Sequence, residues 1–194
     1  AESNLKNVIF ISSTSIDDRY GLYGHTKILG EEIARAYAYR HGMNVLTLRP
    51  RAFIPHWNKN VYDSYVDWAK WFWKGSVHID DVAQALTKSV ELLSSGIKLE
   101  QPLFLPIDGA YEYTEEDLLH WDKNGPGTTF KKYYSEYYDL VVRHGLDPTL
   151  RPRRLDITET QKALNYTPRF SLKTLLQELE RYGSAGPPTP HFSK

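Results

Sequence analysis

Apolar positions along the chain change period several times, and each change marks an element. Residues Asn7–Ile11 (NVIFI) form a continuous apolar run rich in β-branched residues, ended by Ser12-Ser13-Thr14-Ser15. Such a run predicts a strand buried on both faces, as in a parallel sheet. Over Leu22–His41 the spacing turns helical. Ile28, Leu29, Ile33, Ala36 and Tyr37 share one broad face, Glu31, Glu32, Arg35 and Arg40 lie mostly elsewhere, and Gly42 is the stop. Residues 44–48 (NVLTL) read as a second strand, cut off by Arg49-Pro50. Strand, long helix and strand together predict a right-handed crossover in a parallel α/β sheet.

Further along, residues 57–73 hold four of the five tryptophans. Their three-to-four-residue spacing predicts an amphipathic helix from about Tyr62. A short strand over 77–79 and a helix over 82–93 follow, then a strand over Leu103–Ile107 between two prolines. Thr114 with Glu115, Glu116 and Asp117 reads as a helix cap with an acidic first turn. Residues 123–129 (KNGPGTT) read as a loop, and the aromatic run 130–144 as one helix. Thr158 to Gln161 fits a capping box for a short helix ending near Asn165. Ser171 opens a last helix to about Tyr182. The proline-bearing tail 183–194 is expected to be disordered.

The chain's 194 residues give room for one domain, or a domain with a small lobe. Lys+Arg and Asp+Glu each number 24, so the formal net charge is zero. That balance removes the electrostatic drive of sequence-independent nucleic-acid binding and gives no polybasic membrane anchor. No apolar run reaches the length of a membrane span, and the opening residues do not build a signal peptide. With no cysteine there is no disulfide framework, thiolate nucleophile or thiolate zinc site. No metal site is expected, and a cytoplasmic location fits.

Candidate chemistry sits in Tyr23-Gly24-His25-Thr26-Lys27. A Tyr and a Lys four apart near a helix start project from one face and reach one ligand. An ammonium beside a phenol favours the phenolate, which makes a usable proton acceptor. The Ser12 to Ser15 cluster ends the preceding strand, and ligands in open parallel sheets bind at the carboxyl ends of strands.

Five stretches, in order, resemble the extended short-chain dehydrogenase/reductase family, the NAD-dependent sugar epimerases and dehydratases. They are VIFISSTS from Val8, YGHTKILGEE from Tyr23, LTLRPRAFIP from Leu46, VHIDDVAQAL from Val77, and DITETQKALNYTPRFSLKTLLQEL from Asp156. The resemblance implies that Tyr23 is the general acid/base and that Lys27 binds the nicotinamide ribose and favours the Tyr23 phenolate. It places Ser13 at the catalytic Ser/Thr position, with Ser12 and Thr14 beside it, and Pro50 against the nicotinamide. Asp80 and Asp81 match an acidic pair that opens a helix, read mainly as a cap. Arg151, Arg153 or Arg154 would meet a nucleotide diphosphate through bidentate contacts, with a solvated basic turn as the equal alternative. NAD or NADP and a nucleotide-sugar substrate follow from the same resemblance.

The departures are as informative. The family holds its dinucleotide on a glycine-rich turn after the first strand. Here Gly21 and Gly24 belong to the tyrosine motif, and Gly125 and Gly127 follow no strand. The expected fold is therefore α/β: an incomplete Rossmann-like parallel sheet, the C-terminal half, with a small mainly helical substrate lobe. Residues 1–109 would form the half-sheet, 110–182 the lobe and 183–194 the tail. The loop from Ser13 to Tyr23 is short for the family, and Ile54-Pro55 replaces its Gly-Pro. One sheet edge and an apolar helix face would lie open, to be covered by a missing N-terminal half or by self-association. Two readings follow: an enzyme piece needing a cofactor half, or a non-catalytic binding or assembly module. The aromatic run 57–73 serves as lobe core in the first and as a protein interface in the second.

Overall fold

The structure is a computed structural model that describes residues 5–19 and 21–189. It divides into two compact units. Among the described residues, the first holds those up to Phe53 with Ile79–Asp108 and Leu155–Pro168; the second holds Ile54–His78, Gly109–Arg154 and the residues from Arg169 onward. The first unit thus takes back 155–168 after the expected boundary near 109, and the second unit takes 54–78. The aromatic helix core explains the second exchange, as described below.

The first unit is built on three parallel strands in the order β1 (Asn7–Ile11), β2 (Asn44–Pro50), β3 (Leu103–Ile107). Register runs Asn7 against Asn44 and Leu46 against Leu103. β2 lies in the middle and is buried almost throughout, which suits its β-branched and leucine content. It runs two residues further than the pattern NVLTL predicts, because Pro50 still pairs with Ile107.

Helix α1 (Leu22–His41) packs on the Val8/Phe10 face of the sheet and ends at Gly42, whose φ is 61°. A helix of this kind should turn its large apolar residues inward. Instead its buried positions are Gly24, Glu31 and Ala38, while Leu29, Ile33 and Tyr37 are exposed, Ile33 by 60%. The close approach of helix to sheet explains this: a Cβ on Gly30 would fall 2.4 Å from the Phe10 ring. The exposed apolar face and the outer side of β1 border an open groove of about 620 Å³, lined by Val8, Phe10, Ile33, Tyr37 and Val45.

On the alternate face of β1, the Asn7 amide donates to the Leu93 carbonyl near the end of α3 (Ile79–Ser94). The expected strand over 77–79 is absent; Ile79 already starts α3, and Asp80 and Asp81 lie inside its first turn rather than at its cap. α8 (Thr158–Leu164) closes the unit, with Asn165 in the left-handed region at φ 50°.

The second unit is helical. α2 (Tyr65–Phe72) is capped by Ser64, and α4 (Glu115–Leu119) by a Thr114–Asp117 capping box. α5 (Trp121–Asn124) and α6 (Thr128–Tyr133) occupy most of the expected loop. The expected helix over 130–144 is broken: a 3₁₀ turn at Ser135–Tyr137 separates α6 from α7 (Tyr138–Arg143). α9 (Leu172–Tyr182) is capped by Ser171. Tyr65, Trp68, Phe72 and Trp73 of the aromatic run are buried with Tyr134, Val141 and Leu176 in one core, so much of the stripe is packing. The tail does not open as disorder, since Gly183–Ala185 form a 3₁₀ turn and Gly186 packs on the Tyr65 ring; residues 190–194 lie outside the described residues.

Candidate functional site

The chain leaves β1 still tied to the sheet, with Ser12 N donating to the Leu48 carbonyl at 2.8 Å. A 3₁₀ turn, Thr14–Asp17, follows at once. Ser13 caps it: its hydroxyl accepts from Ser15 N at 3.0 Å and donates to Ser15 Oγ at 3.1 Å. The turn is seated on the first turns of α1. A Cβ on Gly24 would lie 2.1 Å from the Ser15 carbonyl oxygen, so only glycine permits this approach.

Gly24, Lys27 and Glu31 share one face of α1 at successive turns: Gly24 meets the 3₁₀ turn, and Lys27 and Glu31 meet the chain where β1 ends. Lys27 Nζ donates to the Ile11 carbonyl at 3.0 Å and stands 5.5 Å from the centre of the Tyr23 ring. Tyr23 is 59% exposed. The structure thus brings Tyr23 and Lys27 together at the carboxyl end of the sheet. It places Ser13 in the adjoining turn, with its hydroxyl engaged inside that turn. Pro50 ends β2 and is buried against Ile107.

Beneath this pair lies an ion pair that sequence reasoning missed. Glu31 Oε1 accepts from Ser12 Oγ at 2.6 Å and from Arg49 Nε at 2.9 Å, and Oε2 accepts from Arg49 Nη2 at 2.6 Å. Burial pushes the Glu31 carboxyl up, but the bonds from Arg49 and Ser12 and the charges of Arg49 and Arg35 outweigh it and hold the carboxyl below its ordinary value. A second buried pair, Arg51–Asp108 at 3.3 Å, joins the ends of β2 and β3. The Asp108 carboxylate also accepts from Leu155 N. Burial, with Asp81 and Asp108 nearby, pushes the Tyr166 phenol up.

In the second unit the three arginines are engaged separately. Arg151 pairs with Asp122 at 3.3 Å over the Trp121 ring. Arg154 Nη1 donates to the Tyr113 carbonyl at 3.3 Å. The Arg153 carbonyl accepts from Tyr113 Oη at 2.9 Å. The cavity beside Tyr113, Phe130, Arg151 and Arg153 measures about 20 Å³, room for a water and far less than a nucleotide needs. No described helix is long and apolar enough to cross a membrane.

The sequence matches no protein-family model, and no curated protein matches it. Solved structures do resemble the fold. UDP-N-acetylglucosamine 4-epimerase from Bacillus cereus superposes with a TM-score of 0.56 at 16% identity, over 94% of this chain and 66% of that one. The chain has the fold of the NAD(P)-dependent sugar epimerases and reductases. RMD from Pseudomonas aeruginosa, solved with NADPH, gives 0.52 at 15% identity over 88% of this chain and 64% of its own. UDP-glucuronic acid 4-epimerase from Bacillus cereus, solved with UDP-glucuronic acid and NAD, gives 0.54 at 16% identity over 91% and 60%. The chain spans about two thirds of the length of these Rossmann-like enzymes.

A nicotinamide dinucleotide fits the residues present only in part. The resemblance would set Tyr23, Lys27 and Pro50 at its nicotinamide end. The pyrophosphate requires a glycine-rich turn between strand and helix. β1 is followed instead by Ser12 to Ser15, and none of the chain's twelve glycines falls in a G-x-G-x-x-G spacing.

Proposed function

We propose that this chain is the catalytic and substrate part of an NAD(P)-dependent nucleotide-sugar epimerase, dehydratase or reductase whose dinucleotide is held by another polypeptide segment. The observation that carries the reading is the Lys27 ammonium 5.5 Å from the Tyr23 ring at the carboxyl end of a parallel sheet. In this reading the Tyr23 phenolate takes a proton from a sugar hydroxyl, and Lys27 stabilises the phenolate. Ser13 steadies the sugar oxygen once its hydroxyl turns out of the Ser15 bond. Support for the substrate class comes from the folds it shares, one of them solved with UDP-glucuronic acid and NAD.

The test is a titration of NAD(H) and NADP(H) into the chain alone, followed by complementation with a dinucleotide-binding N-terminal segment. The expected result is no submillimolar binding alone and turnover on complementation, lowered at least about 100-fold by Tyr23→Phe. Submillimolar binding by the chain alone would overturn the split-site reading. A second reading, a binding or assembly module of the same descent, is favoured by the engaged Ser13 hydroxyl. It predicts nucleotide-sugar binding without turnover under every complementation.

A further inference from the structure

Glu31 is the one ionisable side chain among the three buried residues of α1, 4% exposed, and the proton transfer proposed above does not use it. It stands one turn beyond Lys27, and the two side chains hold adjacent residues. Lys27 holds the Ile11 carbonyl, and Glu31 holds the hydroxyl of Ser12, the next residue. The end of β1 is thereby gripped from two successive turns of α1. On its other side Glu31 takes two nitrogens of Arg49, which precedes Pro50 at the end of β2. A fork-to-carboxylate pair fixes angle as well as distance. As a source of stability a buried ion pair is weak, because desolvation offsets attraction. Its geometry is what it offers this site.

We propose that Glu31 is a positioning residue. By fixing Ser12 and Arg49 it sets the place of the Ile11 carbonyl, and hence where the Lys27 ammonium stands beside Tyr23. The inference rests on the reading of Tyr23 and Lys27 as the reacting pair, but its test does not need turnover. In the isotopically labelled full chain, NMR reads the exchange rate of the Lys27 ζ-ammonium protons and the carbonyl carbon shift of Ile11. Glu31→Gln keeps the shape and removes the charge. The expected result is exchange about tenfold faster, the loss of one hydrogen bond's worth of protection, and an Ile11 shift toward an unbonded carbonyl. Resonances of α8, which makes none of these contacts, should stay in place.

Arg49→Lys, which keeps the charge and loses the fork, should give the same signature, with no further change in the double variant. Ser12→Ala is the milder substitution and decides the matter if Glu31→Gln does not fold. Unchanged Lys27 and Ile11 signals in a folded Glu31→Gln or Ser12→Ala protein, whatever the melting temperature, overturn the proposal. The two readings fail separately. Full turnover of a complemented Tyr23→Phe protein would remove the catalytic reading and leave the NMR result standing.

Discussion

Tyr62 and Glu31 are both buried, and their partners set them apart. The Tyr62 hydroxyl has no hydrogen-bond partner among the described residues, and burial pushes the phenol up to about 12. An orphan buried hydroxyl carries its desolvation cost without return. Tyr62→Phe should therefore leave the unfolding free energy from urea titration unchanged or raise it, by about 1 kcal/mol at most. Glu31 has three bonds, so its removal exposes the opposite sign. Glu31→Ala should cost about 2 kcal/mol, less than a fully enclosed pair because Arg49 is partly open to water. The pH dependence follows from the lowered carboxyl. The pair's stabilisation is complete above the unfolded value near about pH 4.3 and is lost as pH falls through the lower folded value. Urea unfolding between pH 7 and 3 should thus be steeper with pH for the natural protein than for Glu31→Gln. Tyr23 and Lys27 were legible in the sequence because their i, i+4 spacing is local. Glu31 lies at the same spacing beyond Lys27, yet it reads as part of a solvated face. Its partners come from just past β1 (Ser12) and from β2 (Arg49), and nothing local announces them.

At the scale of elements, two glycines of α1 separate shape from propensity. Alanine favours a helix over glycine by about 1 kcal/mol. At Gly24 the added carbon meets backbone, 2.1 Å from the Ser15 oxygen and 2.6 Å from the Asp18 oxygen. Gly24→Ala should lower stability by more than about 2 kcal/mol and perturb the Tyr23 and Lys27 signals together. At Gly30 the carbon meets only the tip of the Phe10 ring, which borders the open groove and can swing into it. Gly30→Ala should be near neutral in urea unfolding, the measurement that also checks Gly24→Ala. The bounds of β1, β3, α1 and α9 follow the pattern closely, those of α1 and α9 marked by Gly42 and Ser171, but the face that α1 buries does not. The break between α6 and α7 is not written locally. No glycine or proline marks it; both Tyr134 and Tyr137 are buried in the core, and the turn between them re-aims the chain to allow this. The supposed strand over 77–79 failed for a related reason. A triplet of Val77, His78 and Ile79 without a neighbouring strand has no ladder to join.

For the molecule as a whole, β1 has no strand on its outer side among the described residues, and the groove beside it is apolar. Such a surface binds hydrophobic dyes and promotes association. Ile33→Lys, at an exposed position, should reduce dye fluorescence and any self-association seen by light scattering, with stability changed by no more than about 0.5 kcal/mol. The chain passes between its two units after Phe53, His78, Asp108, Arg154 and Pro168. Neither unit is a contiguous stretch, so neither can be obtained by trimming an end. A protease cutting one crossing would leave both units still threaded by the other four, and the fragments should co-migrate until denatured. Separate production of either unit requires rejoining three segments with new linkers, a redesign of the covalent thread rather than a choice of boundaries.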